Sequence, residues 1–282
     1  MNKISKEKIS ENFKVKFTLN FLLILILTGL FLPGCEKVID VDLNEASPAL
    51  VIQGNLSSDQ KVAEVKLTTT TCYFDTLSPE KVSGAKVSLE DNDGDKITLN
   101  ETLKGVYAAF GLRPVYNITY RLTVETKDKI YQAESVLNPP VKIDSVTWEY
   151  DEGNSFFDAG YYLNVWFFDP PSIQNYYRIQ VYRNGLLKRS MDDLVVFNDR
   201  YVDGNKVSIS LFNDPYYLND TVLVQLISLD KNAYDYFNTL GELINTNPGS
   251  AAPANPNTNF SNGALGYFSA WSSDTLEVII RE

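Results

Sequence analysis

Not one histidine occurs in the 282 residues. Without imidazole there is no Ser-His-Asp or Cys-His nucleophile, no zinc site that needs a ring nitrogen, and no haem held by histidine. Cysteine is almost as scarce, with Cys35 and Cys72 the only two. Positive charge is short as well: 25 Lys and Arg stand against 36 Asp and Glu, a formal net charge of −11. A surface of that sign repels phosphate backbones and anionic head groups, so nucleic acid is not an expected partner. Nor is there an apolar run long enough for a comfortable membrane span. The mostly apolar stretch at residues 17–31 falls short of the roughly 20 residues that a spanning helix needs. These absences leave carboxylate-pair chemistry standing, because it uses neither imidazole nor thiol. No metal and no cofactor are expected.

Residues 1–34 read as a targeting segment rather than as part of the fold. Lys3, Lys6, Lys8, Lys14 and Lys16 precede the apolar stretch, which ends at Leu32-Pro33-Gly34-Cys35. A small residue directly before a cysteine, with leucine three positions back, resembles the lipobox of bacterial lipoproteins. The resemblance implies that the Cys35 thiol is diacylglycerylated, that the chain is cut before it, and that the new amine is acylated. An uncleaved anchor helix, or a cysteine that follows an apolar run by chance, are the other readings. Cleavage removes five lysines and two glutamates and carries the formal charge from −11 to −14. Several acyl chains, at about 0.8 kcal/mol per buried methylene, hold a protein to the bilayer for good. Cys72 is then the lone thiol; it permits no intrachain disulfide and is read as a small buried apolar group. Residues 35–48 form the lipidated tether. Its acids Glu36, Asp40, Asp42 and Glu45 resemble the acidic stretch that sends Bacteroidota lipoproteins to the outer leaflet, with a solvated linker as the alternative.

Beyond the tether the signals are those of β-structure. Residues 49–56 and 62–71 are rich in β-branched side chains, and Val62, Val65 and Leu67 partly alternate with polar positions. Asp91-Asn92-Asp93-Gly94 between alternating runs predicts a hairpin, as does Asn184-Gly185 after the strand at 176–183. Asn138-Pro139-Pro140 breaks the pattern and marks a boundary. The expected fold is all-β, with one sandwich at 49–138 and a second at 141–282. The order of motifs in the first half resembles the carboxypeptidase-regulatory or transthyretin-like sandwich; the second half resembles a fibronectin-type or immunoglobulin-like one. One helix is predicted at 231–244, where Tyr234, Phe237, Leu240, Leu243 and Ile244 follow three-four spacing. A long Pro/Asn/Ser/Gly loop follows at 247–262. The chain then returns through 263–268 and closes with a strand at 276–280.

The tail carries the most specific likeness. Tyr234-Asp235-Tyr236-Phe237, Pro253-Ala254-Asn255-Pro256 and Gly263-Ala264-Leu265-Gly266-Tyr267-Phe268 come in this order, after the lipobox and the tether at 38–45. Together they resemble a Bacteroidota lipoprotein family known as domain of unknown function 4249, over nearly the whole mature chain. The family has no established activity, and its members are commonly associated with TonB-dependent outer-membrane receptors. The resemblance therefore implies a non-enzymatic, surface-exposed accessory or ligand-binding partner of such a β-barrel receptor in nutrient uptake. A structural or adhesive envelope lipoprotein is the first alternative, and a carboxylate-pair glycoside hydrolase the second. A periplasmic location for the anchored chain stays open beside the cell surface.

Among individual residues, only Cys35 is assigned a definite role, lipidation, and none is assigned to catalysis. Trp166, Tyr267 and Phe268 are the candidate ligand-binding rings, because sugar C–H faces stack on aromatic surfaces; core packing is the competing role. Residues 247–268 either dock onto a receptor or line a pocket, or else wrap over the sandwich and cap its open end with their rings as core. Asp192, Asp193 and Asp199 are the paired acids that a glycosidase would use. Asp91, Asp93 and Asp95 fail the calcium-loop pattern: counting from Asp91, glycine arrives at the fourth position and Thr102 holds the twelfth. A hairpin turn is the expected role there.

Overall fold

The computed structural model describes residues 48–71, 78–155, 157–245 and 255–282. The expected lipidation site Cys35, Cys72 with its expected burial, and the first part of the long loop fall outside the described residues. The strands run, in chain order, β1 (Leu50–Ser57), β2 (Val62–Thr69), β3 (Lys86–Glu90), β4 (Lys96–Leu103), β5 (Val106–Phe110), β6 (Thr119–Glu125), β7 (Ile130–Val136), β8 (Ile143–Asp151), β9 (Gly160–Phe168), β10 (Tyr176–Arg183), β11 (Leu186–Leu187), β12 (Val195–Asn198), β13 (Lys206–Tyr216), β14 (Thr221–Leu229) and β15 (Leu265–Ile279). The single α-helix among the described residues is α1, Lys231–Ile244. The fold is all-β with that one helix near the C-terminus, as the residue pattern predicts.

Alternation decides which face each strand buries. On β2, Ala63, Val65 and Leu67 point inward while Glu64 and Lys66 face away. The same rule on β1, β3, β5, β6 and β7 brings Ile52, Val87, Tyr107, Leu122 and Tyr131 into one core. Because β4 pairs with both β5 and β3, the hydrogen-bonded path turns over on itself and closes that core. The hairpin at Asp91 forms as predicted. Asp91 Oδ1 accepts from the backbone N–H of Asp93 and of Asp95, each at 3.0 Å, and Gly94 adopts φ +86°.

A second core lies between a three-stranded sheet, ordered β13-β9-β8, and the strands β10, β14 and the far end of β15. Leu163, Val165 and Phe167 of β9 meet Tyr177, Ile179, Val222, Val224 and Leu226 there. Burying side chains of this size stabilises by roughly 1.5–3 kcal/mol each relative to exposure.

One strand serves both cores. β15 pairs in parallel with β1 from Leu265 to Trp271, then antiparallel with β14 from Ser272 to Ile279. The two segments read from sequence at 263–268 and 276–280 are thus parts of one continuous strand. Phe260, Ala264, Phe268 and Ala270 accordingly pack into the first core, although they follow the second sandwich in sequence. Residues 259–262 are pinned along the edge strand β7. Ser261 N–H donates to the Gln132 carbonyl (2.9 Å), and the side-chain amide of Asn262 donates to that of Ile130 (2.7 Å). With Phe260 and Phe268 inside the core, the described part of the loop caps the sandwich.

The helix starts where Asp230 caps it, its Oδ1 accepting from Ala233 N–H at 3.0 Å. Ala233 and Phe237 are its buried residues, and they pack with Tyr176, Ile227 and Leu229 on the outside of the long sheet. That placement turns a sheet face into a cleft.

Candidate functional site

Five neighbouring strands, β10, β14, β15, β1 and β2, form the floor of a cleft of about 500 Å³. Their outward positions supply the lining. Register sets Lys66, Gln53 and Tyr267 in one row across β2, β1 and β15, and Glu64, Asn55 and Ser269 in the next. Gln180 and Gln225 lie opposite one another on β10 and β14. Trp271, Tyr182 and Phe237 complete the ring-bearing part of the wall. Tyr267 packs against Tyr236 and Phe237 of the helix, with ring centres 4.8 Å apart in each case.

Arg178 dominates the electrostatics. Its guanidinium sits over the Phe237 ring, 4.3 Å from the centroid, and its Nε is buried without a hydrogen-bond partner. No described acid pairs with it. Burial lowers its pKa from the ordinary guanidinium value, partly offset by the phenols of Tyr267, Tyr182 and Tyr236. A guanidinium starts so high that it stays charged at neutral pH regardless. Arg189 at the rim also forms no ion pair with a described residue. Glu64 is the one acid among the described lining residues, and Lys66 holds it at 2.9 Å. A strongly acidic chain therefore carries a cleft with excess positive charge. On its floor, Ser269 is 1% exposed and its Oγ lacks a partner.

The candidate rings do not converge. Tyr267 lines the cleft, but Phe268, the next residue along β15, points to the opposite face and is 1% exposed in the first core. Trp166 lies on the outer face of the three-stranded sheet, where its Nε1–H donates to Thr147 Oγ1 at 3.0 Å and Lys206 Nζ lies 5.4 Å from the ring centre. Arg178, Ser269, Gln180 and Gln225 escaped the sequence reading. On strand parity Arg178 counts as a solvent-facing charge, and only the packing of α1 over β10 encloses it.

The paired acids part company as well. Asp193 accepts from Ser190 N–H (2.7 Å) and pairs with Lys188 (3.1 Å). Asp199 instead joins Asp169 and Asp203, whose carboxylate oxygens all lie within 4.8 Å of one another. Oxygen donors in such a group suit a hard cation, yet each is already engaged in tying two loops together. Asp169 accepts from the Tyr177 hydroxyl (2.5 Å) and Gly204 N–H (3.0 Å), Asp199 from Asn175 N–H (2.7 Å), and Asp203 from Ser172 N–H (2.8 Å). Burial pushes the Asp169 carboxyl above the usual range.

A family profile described as "Domain of unknown function (DUF4249)" matches residues 36–277. No curated protein matches. Among solved structures, a two-domain fibronectin type-III segment of chicken tenascin is similar at 12% identity, covering 83% of this chain and 99% of that one, with a TM-score of 0.23. The FN1–FN3 domains of chicken CNTN1 are similar at 11% identity over 83% of this chain and 67% of that one, with a TM-score of 0.26. The chicken interferon gamma receptor alpha chain follows at 10% identity over 65% and 90%, with a TM-score of 0.19.

Proposed function

The chain belongs to the DUF4249 family, and from that premise we propose that it is a non-enzymatic binding protein of the bacterial outer membrane. It is held to lipid through acylated Cys35 and takes up a polar ligand in the cleft beneath α1. It hands that ligand to, or shares it with, a TonB-dependent β-barrel receptor. The carrying observation is Arg178, a charged side chain in the cleft that no described acid answers. Arg178 is half-buried with its Nε enclosed and unpartnered, an arrangement that costs stability and that a ligand anion would relieve. Glu64 is the one acid among the described lining residues, which argues against two-carboxylate hydrolysis in this cleft. The leader-like residues 1–34, the lipobox-like run at Leu32–Cys35 and the acidic tether favour a lipid-anchored Bacteroidota envelope protein exposed at the surface.

The test is a pull-down of the tagged chain from detergent-solubilised outer membranes, with mass spectrometry of what comes with it. A TonB-dependent receptor in near-equal amount supports the uptake role. Recovery of the chain alone, under conditions that preserve other barrel complexes, overturns the stable partnership and moves the assignment to adhesion or spacing. Replacing Cys35 by Ala is expected to release the protein from the membrane fraction.

A further inference from the structure

Resting on the binding role proposed above, we infer that the cleft under α1 recognises a saccharide that carries a carboxylate, with Arg178 as the anion-binding residue. Backbone recognition is excluded at its floor. β2 is paired with β1 and β5, β1 with β2 and β15, β15 with β1 and β14, and β14 with β15 and β10. A peptide therefore finds no open strand edge there to extend, and recognition falls to side chains alone.

Those side chains are of one kind. Gln53, Asn55, Gln180 and Gln225 offer amides that both donate and accept, and Ser57, Ser269 and Tyr182 offer hydroxyls. Such a mixture matches a ligand whose groups also donate and accept, as sugar hydroxyls do. Tyr267 and Trp271 add apolar ring surface beside that polar floor. Two observations point to a bound group: Ser269 Oγ, enclosed and unpartnered in the floor, and the unpartnered Nε of Arg178. A guanidinium presents Nε–H and one Nη–H as a parallel fork, which fits the two oxygens of a planar carboxylate. Stacking on Phe237 fixes the plane of that fork before any ligand arrives. The site is thus preorganised, and little ordering is left to oppose binding.

The experiment uses the full chain in detergent micelles on a glycan array carrying uronate- and sialate-bearing, sulfated, and neutral oligosaccharides, followed by calorimetry on the best binder. Retention of carboxylated glycans over their neutral counterparts is expected. Arg178→Met and Arg178→Lys should each weaken binding by about ten- to hundredfold, the range of a lost charge-assisted hydrogen bond. The lysine variant keeps the charge and removes the fork. Arg178→Met is expected to melt no lower than the parent, since it replaces an unanswered charge by an apolar chain of similar length. Ser269→Ala should weaken binding several-fold without lowering the melting temperature. Equal retention of neutral glycans, preference for sulfated over carboxylated ones, or no retention of any acidic glycan overturns the inference. So does an Arg178→Met variant that melts lower and binds unchanged. Each of these can coincide with recovery of a receptor in the pull-down, so the ligand class and the envelope role fail separately.

Discussion

Gly266 of β15 lies so close to Ile52 of β1 that a Cβ added to it would stand 2.0 Å from the Ile52 carbonyl oxygen. Its backbone also takes φ +95°, a conformation that side chains with a Cβ rarely adopt. Both facts serve the parallel pairing that returns the C-terminal strand to the first sandwich. Gly266→Ala is therefore expected to cost on the order of 3 kcal/mol or more, combining strain with a forced separation of strands. Urea denaturation measures it. A loss below about 1 kcal/mol would show that the pairing yields cheaply.

Phe260 carries the neighbouring prediction. It is 7% exposed in the first core, and the residues around it cover the edge of β7. Ser261 N–H donates to the Gln132 carbonyl, and Ser261 Oγ accepts from Gln132 N–H at 3.0 Å. Phe260→Ala should cost about 3–5 kcal/mol, the range for emptying a buried aromatic site. It should also loosen the cover on an edge that otherwise invites pairing with other chains. Hydrogen exchange checks this: faster exchange at Gln132 is expected, with β14 little changed. Uniform acceleration across both sandwiches would instead mean that the segment is a general support.

Features set by near neighbours were legible in the sequence. The Asp91 and Asn184-Gly185 turns, strand parity on β2, and the three-four spacing of α1 all depend on residues a few positions apart. Pairing of Gly266 with Ile52 is set across more than two hundred residues, and no local pattern encodes it. The cleft beneath α1 is hidden from the sequence for the same reason. Ring chemistry singles out Tyr267, Phe268 and Trp166, but parity along β15 sends Phe268 to the core, and Trp166 belongs to another sheet. What marks Arg178 is its contact with Phe237 of α1, a helix that lies more than fifty residues further along the chain.

The Tyr177 hydroxyl donates to Asp169 Oδ1 at 2.5 Å, and both residues are buried. Tyr177→Phe leaves Asp169 with Gly204 N–H as its other hydrogen-bond donor and should cost about 1–3 kcal/mol. The hydrogen bond lowers the Asp169 pKa, which burial already raises, so its removal lifts the carboxyl further. The loss should therefore be greater at neutral pH, where the carboxylate is charged, than in acid, where it is protonated. Melting of variant and parent at both pH values checks the sign; an equal loss at the two would mean that the hydroxyl bond does not favour the charged carboxylate over the neutral acid.

Asp230 predicts a pH dependence of opposite use. It is 5% exposed at the start of α1, and burial pushes its pKa from 3.8 to about 6, against the pull of its bonds to Ala233, Ser135 and Val136. A carboxyl whose pKa is raised by folding binds its proton more tightly in the folded state. Its contribution is therefore fully present below about pH 4 and is lost as pH rises through about 6. The whole effect is on the order of 3 kcal/mol. Asp230→Asn keeps an oxygen to cap Ala233 N–H and carries no charge at any pH. The variant should lack this part of the slope, so its stability relative to the parent should rise between pH 4 and pH 7. Denaturation of both proteins across that interval decides the matter. A constant difference would mean that Asp230 titrates alike folded and unfolded, and that the cap is the whole of its role.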